Sequence, residues 1–139
     1  MDKPLVSALE DLYASWASVP PTRIESLAAA ASKRQYFRLH GAARTAVATY
    51  NSDAAENRAF VAFARHFHQQ SLPVPEVLAT RLEAGLYLQE DLGDTSLYDL
   101  LPAPGTAFSP EVLAQYRQVV EALPRLQVLG GQGLDYSLC

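Results

Sequence analysis

Large apolar residues change their spacing several times along the chain, and each change predicts a secondary-structure element. The first stretch repeats them at helical spacing after Pro4: Leu5, Leu9, Leu12, Tyr13 and Trp16. This pattern predicts an amphipathic helix that ends before Val19-Pro20-Pro21.

Three short segments with strand character follow this helix. They run from Ile24 to Ala28, from Gln35 to Leu39 and from Thr45 to Tyr50, and residues 40–43 form a turn between the last two. Because the connections are short, we expect the strands to pair in antiparallel order.

From Asp53 to His68 the apolar residues return to helical spacing, with Phe60, Phe63 and Phe67 on one face. Asp53 and Glu56 form a D-x-x-E variant of the capping box at the start of this helix. Two further strands are predicted, from Val77 to Leu82 and from Leu86 to Glu90.

Residues 91–94 break the sheet, residues 96–101 suggest a short helix, and Ser109-Pro110-Glu111 begins a longer one that bends or ends at Pro124. The chain therefore predicts an α+β domain with five antiparallel strands, a long helix inserted after the third strand, and flanking helices. We divide it into an N-terminal helix and linker (1–22), a sheet domain with its exit segment (23–93) and the start of another region (94–139).

Composition narrows the class of protein. A hydrophobic fraction of 49% and a charged fraction of 19% are those of a soluble globular domain, without an apolar run long enough to cross a membrane. The net charge of −4 disfavours nucleic acid as a partner. The single cysteine, Cys139, excludes an intrachain disulfide, so we expect a cytoplasmic protein.

Four local motifs together resemble the N-terminal lobe of the kinase-like fold in its aminoglycoside-phosphotransferase branch. Residues 31–39 are similar to an S-x-R-x-Y-x-R phosphate-loop hairpin, and Glu56-Asn57 with Phe60 resembles the helix that carries an inward glutamate. Residues 72–77 resemble an L-P-V-P-x-V approach to the fourth strand, and residues 87–97 an E-D-L-G linker between lobes. The resemblance spans about residues 23 to 137 and is closest to bacterial kinases of the cell-wall amino sugars N-acetylmuramate and N-acetylglucosamine.

This resemblance implies a nucleotide site. Ser32, Lys33 and Arg34 would contact phosphates, although a solvated hairpin tip is the alternative for these residues. The Glu90 carbonyl and the Leu92 amide would bind adenine, with Gln89 at the back of the pocket, although a plain strand end with a polar turn is the alternative there.

Glu56 shares the helix stripe of the phenylalanines and is therefore expected to face the interior, where a carboxylate needs a partner. By resemblance this partner is a third-strand lysine, but Thr49 stands in its place. Two readings stay open: another cation, Arg34 or Arg38, pairs with Glu56, or Glu56 only caps its helix.

The catalytic "H-G-D-x-x-x-x-N" loop of such phosphotransferases is not found in this sequence. The resemblance therefore implies a fragment that is inactive alone. The intact protein would transfer phosphate from ATP or GTP to a hydroxyl of a small sugar, with Mg²⁺ and the sugar held by a C-terminal lobe. A degenerate, non-catalytic lobe that binds nucleotide or a protein partner is the alternative, and a chance match to an unrelated α+β domain is a third reading. The apolar face of the last helix further predicts self-association.

Overall fold

The computed structural model describes residues 2–28, 33–103 and 105–138. Three helices and five strands follow one another in the predicted order. They are α1 (Lys3–Ala17), β1 (Arg23–Ser26), β2 (Gln35–His40), β3 (Thr45–Tyr50), α2 (Ala54–Gln69), β4 (Val77–Arg81), β5 (Leu86–Glu90) and α3 (Pro110–Pro124). The predicted α+β class is confirmed.

The five strands form one antiparallel sheet in the order β1-β2-β3-β5-β4. Among the described strands, β3 and β5 are the one neighbouring pair that is not consecutive, since α2 and β4 lie between them in the chain. The sheet therefore keeps β3 central and places the exit of β5 next to it.

The hydrophobic core lies between α1 and one face of the sheet, called here the α1 face. Three α1 residues contribute side chains that are at most 3% exposed: Leu9, Leu12 and Tyr13. They pack on alternate strand residues, namely Phe37, Leu39, Ala46, Ala48, Leu86 and Leu88. Alternation along each strand sends the intervening residues to the opposite face.

That opposite face, called here the cleft face, carries α2 and most of the buried polar residues. Thr49, with Tyr36 and Tyr87 opposite it on the neighbouring strands, forms one row across the sheet. Phe60 of α2 stacks on Tyr87 with ring centroids 4.8 Å apart. The sheet is thus covered by a helix on each side.

The junction between β3 and α2 is held by Asn51, which is 3% exposed. Its backbone N–H donates to the Gly85 carbonyl in the β4–β5 turn (3.0 Å), and its side chain donates to Glu56 (2.6 Å). Asn51 also accepts hydrogen bonds from the Asp53 N–H and from the Asn57 side chain. One residue therefore fixes the start of α2 to the sheet.

Several predicted strand ends are wrong by one or two residues. β1 ends at Ser26 rather than Ala28, because the last residue pair that it forms with β2 is Ser26–Phe37. One further hydrogen bond follows the strand, from the Leu27 N–H to the Tyr36 carbonyl. β4 ends at Arg81 rather than Leu82, because residues 82–84 form a 3₁₀ turn. This turn closes at Gly85 with a positive φ of 71°. β2 extends one residue further, to His40.

Both later helices begin as predicted. The Asp53 carboxylate accepts from the backbone N–H groups of Ala55 and Glu56, and the Ser109 hydroxyl accepts from Val112 N–H. α3 ends at Pro124, and a π-helical turn, Arg125–Leu129, follows it. The predicted short helix is a single 3₁₀ turn, Tyr98–Leu100.

The apolar residues of α3 are largely exposed, among them Leu113, Val119, Val120 and Leu123. This exposure is the basis of the predicted self-association, which stays a prediction. Within the part of the chain that the structure describes, no helix is both long and apolar enough to cross a membrane.

Candidate functional site

A cleft lies beside the cleft face where the chain leaves β5. It has a volume of about 270 Å³ and is lined mainly by the exit segment, residues 89–94, and by cleft-face residues. We call residues 90–94 the hinge segment. Leu92 in its middle is 68% exposed and belongs to neither helix nor strand. The stretch is therefore an open edge of the cleft, not a buried element.

The backbone of the hinge segment has a defined shape. The Asp91 carboxylate accepts a hydrogen bond from the Gly93 N–H (3.0 Å), and Gly93 has a φ of 82°, which favours glycine. In residues 2–28, 33–103 and 105–138, the Leu92 N–H donates no hydrogen bond to another backbone group. The hinge segment thus presents a backbone donor to the solvent.

The other two predicted adenine-binding residues precede this donor in the chain. Gln89 is half-buried and lines the cleft, and Glu90 follows it as the last residue of β5. The Glu90 N–H donates to the Glu76 carbonyl (2.9 Å), which ties the segment before β4 to the end of β5. The structure therefore brings Gln89, Glu90 and Leu92 together at one cleft.

Arg38 connects β2 to the hinge segment. Its guanidinium donates two hydrogen bonds to Asp91, at 2.8 and 3.0 Å, and lies 2.7 Å from Asp94. The hydrogen bond from Arg38 lowers the pKa of the Asp94 carboxyl below its ordinary value. The hypothesis that Arg38 forms an ion pair with Glu56 is wrong, since Arg38 pairs with these two aspartates instead.

Arg34, the other candidate, does pair with Glu56. Its Nη2 lies 2.7 Å from Glu56 Oε1, and its guanidinium carbon lies 5.5 Å from the centre of the Phe60 ring. The second Glu56 oxygen accepts from Asn51. Glu56 therefore does not complete a capping box, because both of its carboxylate oxygens have other partners.

The expectation that Glu56 faces the interior is wrong. Its side chain is 52% exposed, because Glu56 lies in the first turn of α2, where its carboxylate meets Arg34 from the loop before β2 and Asn51 from just after β3. Thr49, at the place where the resemblance expects lysine, is fully buried between Tyr36 and Tyr87. The cation opposite the α2 glutamate thus comes from before β2 instead of from β3.

Sequence alternation could have identified this arrangement. Residues 34, 36 and 38 share one face of an extended segment, so Arg34 belongs with Tyr36 and Arg38 on the cleft face. The partner of Arg34 could not be read in this way, because Glu56 lies 22 residues further along the chain.

The remaining phosphate-loop candidates are only partly described. Lys33 is exposed, and no ion pair involves it among the described residues. Ser32 lies outside the described residues. Over the described ranges, no group of three or more His, Cys, Asp or Glu side chains could hold a metal ion.

Comparison of the sequence with known protein families identifies a match for most of the chain. A family model described as the phosphotransferase enzyme family matches residues 23–137. The chain belongs to this family. Chance similarity to an unrelated α+β domain is thereby excluded.

Two relatives of this chain are N-acetylmuramate/N-acetylglucosamine kinases. The kinase of Pseudomonas aeruginosa is 36% identical over 106 residues, which cover 74% of this chain and 31% of the relative. The kinase of Pseudomonas putida is 34% identical over 98 residues, which cover 68% of this chain and 29% of the relative. The chain thus spans less than a third of these relatives, and both belong to the kinase type of phosphotransferase.

Proposed function

We propose that this chain forms the nucleotide-binding part of an ATP-dependent kinase that phosphorylates a hydroxyl of an amino sugar. The observation that carries the proposal is the open hinge segment, where Leu92 lines the cleft and its N–H donates to no backbone acceptor in the described part of the protein. An adenine edge needs one backbone donor and one backbone acceptor from an extended segment, and Leu92 with Glu90 would supply them.

The phosphates would lie beside Arg34. A guanidinium is a good ligand for phosphate oxygens, and a carboxylate partner holds it in one orientation. The pairing of Arg34 with Glu56 supports this role for Arg34, and Ser32 and Lys33 precede it directly in the chain. The alternative of a non-catalytic lobe was suggested by Thr49. It is not favoured, since Arg34 provides a cation opposite Glu56.

The chemistry of the transfer would need groups beyond those described. Mg²⁺ would offset the negative charge of the phosphates during transfer, and a carboxylate would position the attacking hydroxyl. We assign these groups, and the binding of the sugar, to the part of the relatives that this chain does not match. The chain by itself should therefore bind nucleotide without turning it over, and ATP or GTP could serve as donor.

We infer the class of acceptor sugar from the names of the relatives, which are kinases of N-acetylmuramate and N-acetylglucosamine. An identity of 34–36% over about 100 residues supports the same class of acceptor. The lone cysteine agrees with a reducing compartment, so the proposal places the reaction in the cytoplasm.

Substitutions at Leu92 test the base-binding role. Leu92→Pro removes the backbone N–H, whereas Leu92→Ala keeps it and removes only an exposed side chain. We expect isothermal titration of the chain with ATP to show about a tenfold weaker Kd for Leu92→Pro, the value of one lost hydrogen bond in a desolvated site. Leu92→Ala should bind within about twofold of the wild type, since surface substitutions are nearly neutral.

Equal affinity of both variants and the wild type would refute the hinge as the base site. Absence of ATP and GTP binding by the wild-type chain would refute the proposed function itself. For the acceptor, a longer protein that contains this chain should release ADP only when an amino sugar is added.

A further inference from the structure

Arg38 is the one cation that joins the body of the sheet to the hinge segment within the described residues. We propose that Arg38 is a positioning residue for the proposed nucleotide site, on which this inference rests. Through Asp91 it holds the hinge backbone in the shape that receives the base, and it does not bind phosphate itself.

The electrostatics of the Arg38 cluster argue against a phosphate ligand. All three guanidinium nitrogens of Arg38 donate to a carboxylate: Nε and Nη2 donate to Asp91 at 2.8 and 3.0 Å, and Nη1 donates to Asp94 at 2.9 Å. One positive charge therefore faces two negative charges. Such a cluster has a net negative charge and repels a phosphate group.

Burial strengthens the ion pair between Arg38 and Asp91, because water screens it less. The Arg38 side chain is 10% exposed and that of Asp91 is 12% exposed, so this pair is largely shielded from solvent. Two parallel hydrogen bonds between a guanidinium and a carboxylate also fix the orientation of both groups. Asp94, at 78% exposure, contributes a weaker, solvent-screened contact.

Asp91 passes this fixed orientation on to the backbone. Its Oδ1 accepts from both Arg38 Nη2 (3.0 Å) and the Gly93 N–H (3.0 Å), so one oxygen joins the guanidinium to the hinge turn. Leu92 lies between these two anchored residues, and its N–H is the donor proposed to bind adenine. Without Arg38, residues 91–93 would sample more conformations, and base binding would have to order them.

The test compares Arg38→Gln, Asp91→Asn and the double variant in the 139-residue chain, with Arg44→Gln as the control. Arg44 is an exposed arginine that lies 5.2 Å from the Trp16 ring, on the α1 side. Each protein is titrated with ATP, adenosine and inorganic tripolyphosphate. Amide hydrogen exchange of Gly93 is measured without ligand.

We expect Arg38→Gln to weaken binding of ATP and adenosine about tenfold, and to leave tripolyphosphate affinity within about twofold. The double variant should bind no worse than either single variant, because both act through the same contact. The Gly93 amide should exchange faster in Arg38→Gln, whereas Arg44→Gln should match the wild type in every measurement.

A parallel loss of tripolyphosphate affinity would overturn the inference, because Arg38 would then bind phosphate. Unchanged Gly93 exchange in Arg38→Gln would also overturn it. If Arg38→Gln fails to fold, Asp91→Asn weakens the same contact from the other side; slower or unchanged exchange of the Gly93 amide in that variant would count against the inference too. Failure of the wild type to bind ATP would refute the proposed function separately, since Gly93 exchange requires no nucleotide.

Discussion

Gly41 in the β2–β3 turn is in close contact with the α1 helix, and its substitution gives a quantitative test of the packing. A Cβ atom at this position would lie 2.1 Å from the Tyr13 hydroxyl oxygen and 3.1 Å from the Arg44 carbonyl oxygen. The same hydroxyl donates to that carbonyl at 2.8 Å. Tyr13 is 1% exposed, so its ring cannot move aside without disturbing the core.

The cost of Gly41→Ala has two parts. Overpacking a dense core costs about 1–3 kcal/mol, and breaking the Tyr13 hydrogen bond costs about 1 kcal/mol, which together give a loss of about 2–4 kcal/mol. Tyr13→Phe alone loses only the hydrogen bond, about 1 kcal/mol. In the double variant the clashing oxygen is gone and the nearest atom is Tyr13 Cζ at 3.0 Å, so we expect a loss of about 2 kcal/mol.

Urea unfolding followed by tryptophan fluorescence measures these changes. Trp16 is the only tryptophan in the chain and packs edge-on against Tyr13, with ring centroids 5.5 Å apart. Tyr98→Phe is the matched control, because Tyr98 is 79% exposed. Free-energy changes of Gly41→Ala and Tyr13→Phe that simply add in the double variant would refute the proposed clash, as would a Gly41→Ala protein as stable as the wild type.

Two further predictions concern the charged groups of the cleft. Arg34→Ala should weaken the affinity for ATP about tenfold in a binding titration, whereas Lys33→Ala, which removes an exposed cation, should weaken it less than threefold; equal effects would contradict the assignment to Arg34. The pKa of Asp94 is lowered from 3.8 in the folded protein, so its stabilising contribution is present above that pH and is lost as the pH falls through the folded value. Urea midpoints measured between about pH 5 and pH 2 should therefore fall less steeply for Arg38→Gln than for the wild type, and identical slopes would contradict this pairing.

The order of the helices and strands could be predicted because each depends on the local spacing of apolar residues. The spacing of Phe60, Phe63 and Phe67 identifies α2, and alternation around Tyr36 and Arg38 identifies β2. Strand ends were less accurate, since pairing with a neighbour decides them: the last residue of β1 paired with β2 is Ser26, opposite Phe37.

The partners of the charged residues could not be predicted in the same way. Arg38 and Asp91 are 53 residues apart, and no local pattern relates them. The exposure of Glu56 was also missed, because helical spacing places a residue on a stripe but does not show how much of that stripe is buried. The packing of α1 on the sheet is likewise long-range, since Leu9 and Leu88 belong to one buried cluster.

The bonds made by Asn51 have a consequence for motion. In protein kinases, activity is controlled by moving the helix that carries the glutamate relative to the sheet. Here a swing of α2 at its first turn would break the Asn51 bonds to Glu56, Asp53 and Asn57 together, in a residue that is 3% exposed. We therefore expect α2 and the sheet to move as a single rigid unit, so that any signal that moved α2 alone would first have to break these three contacts.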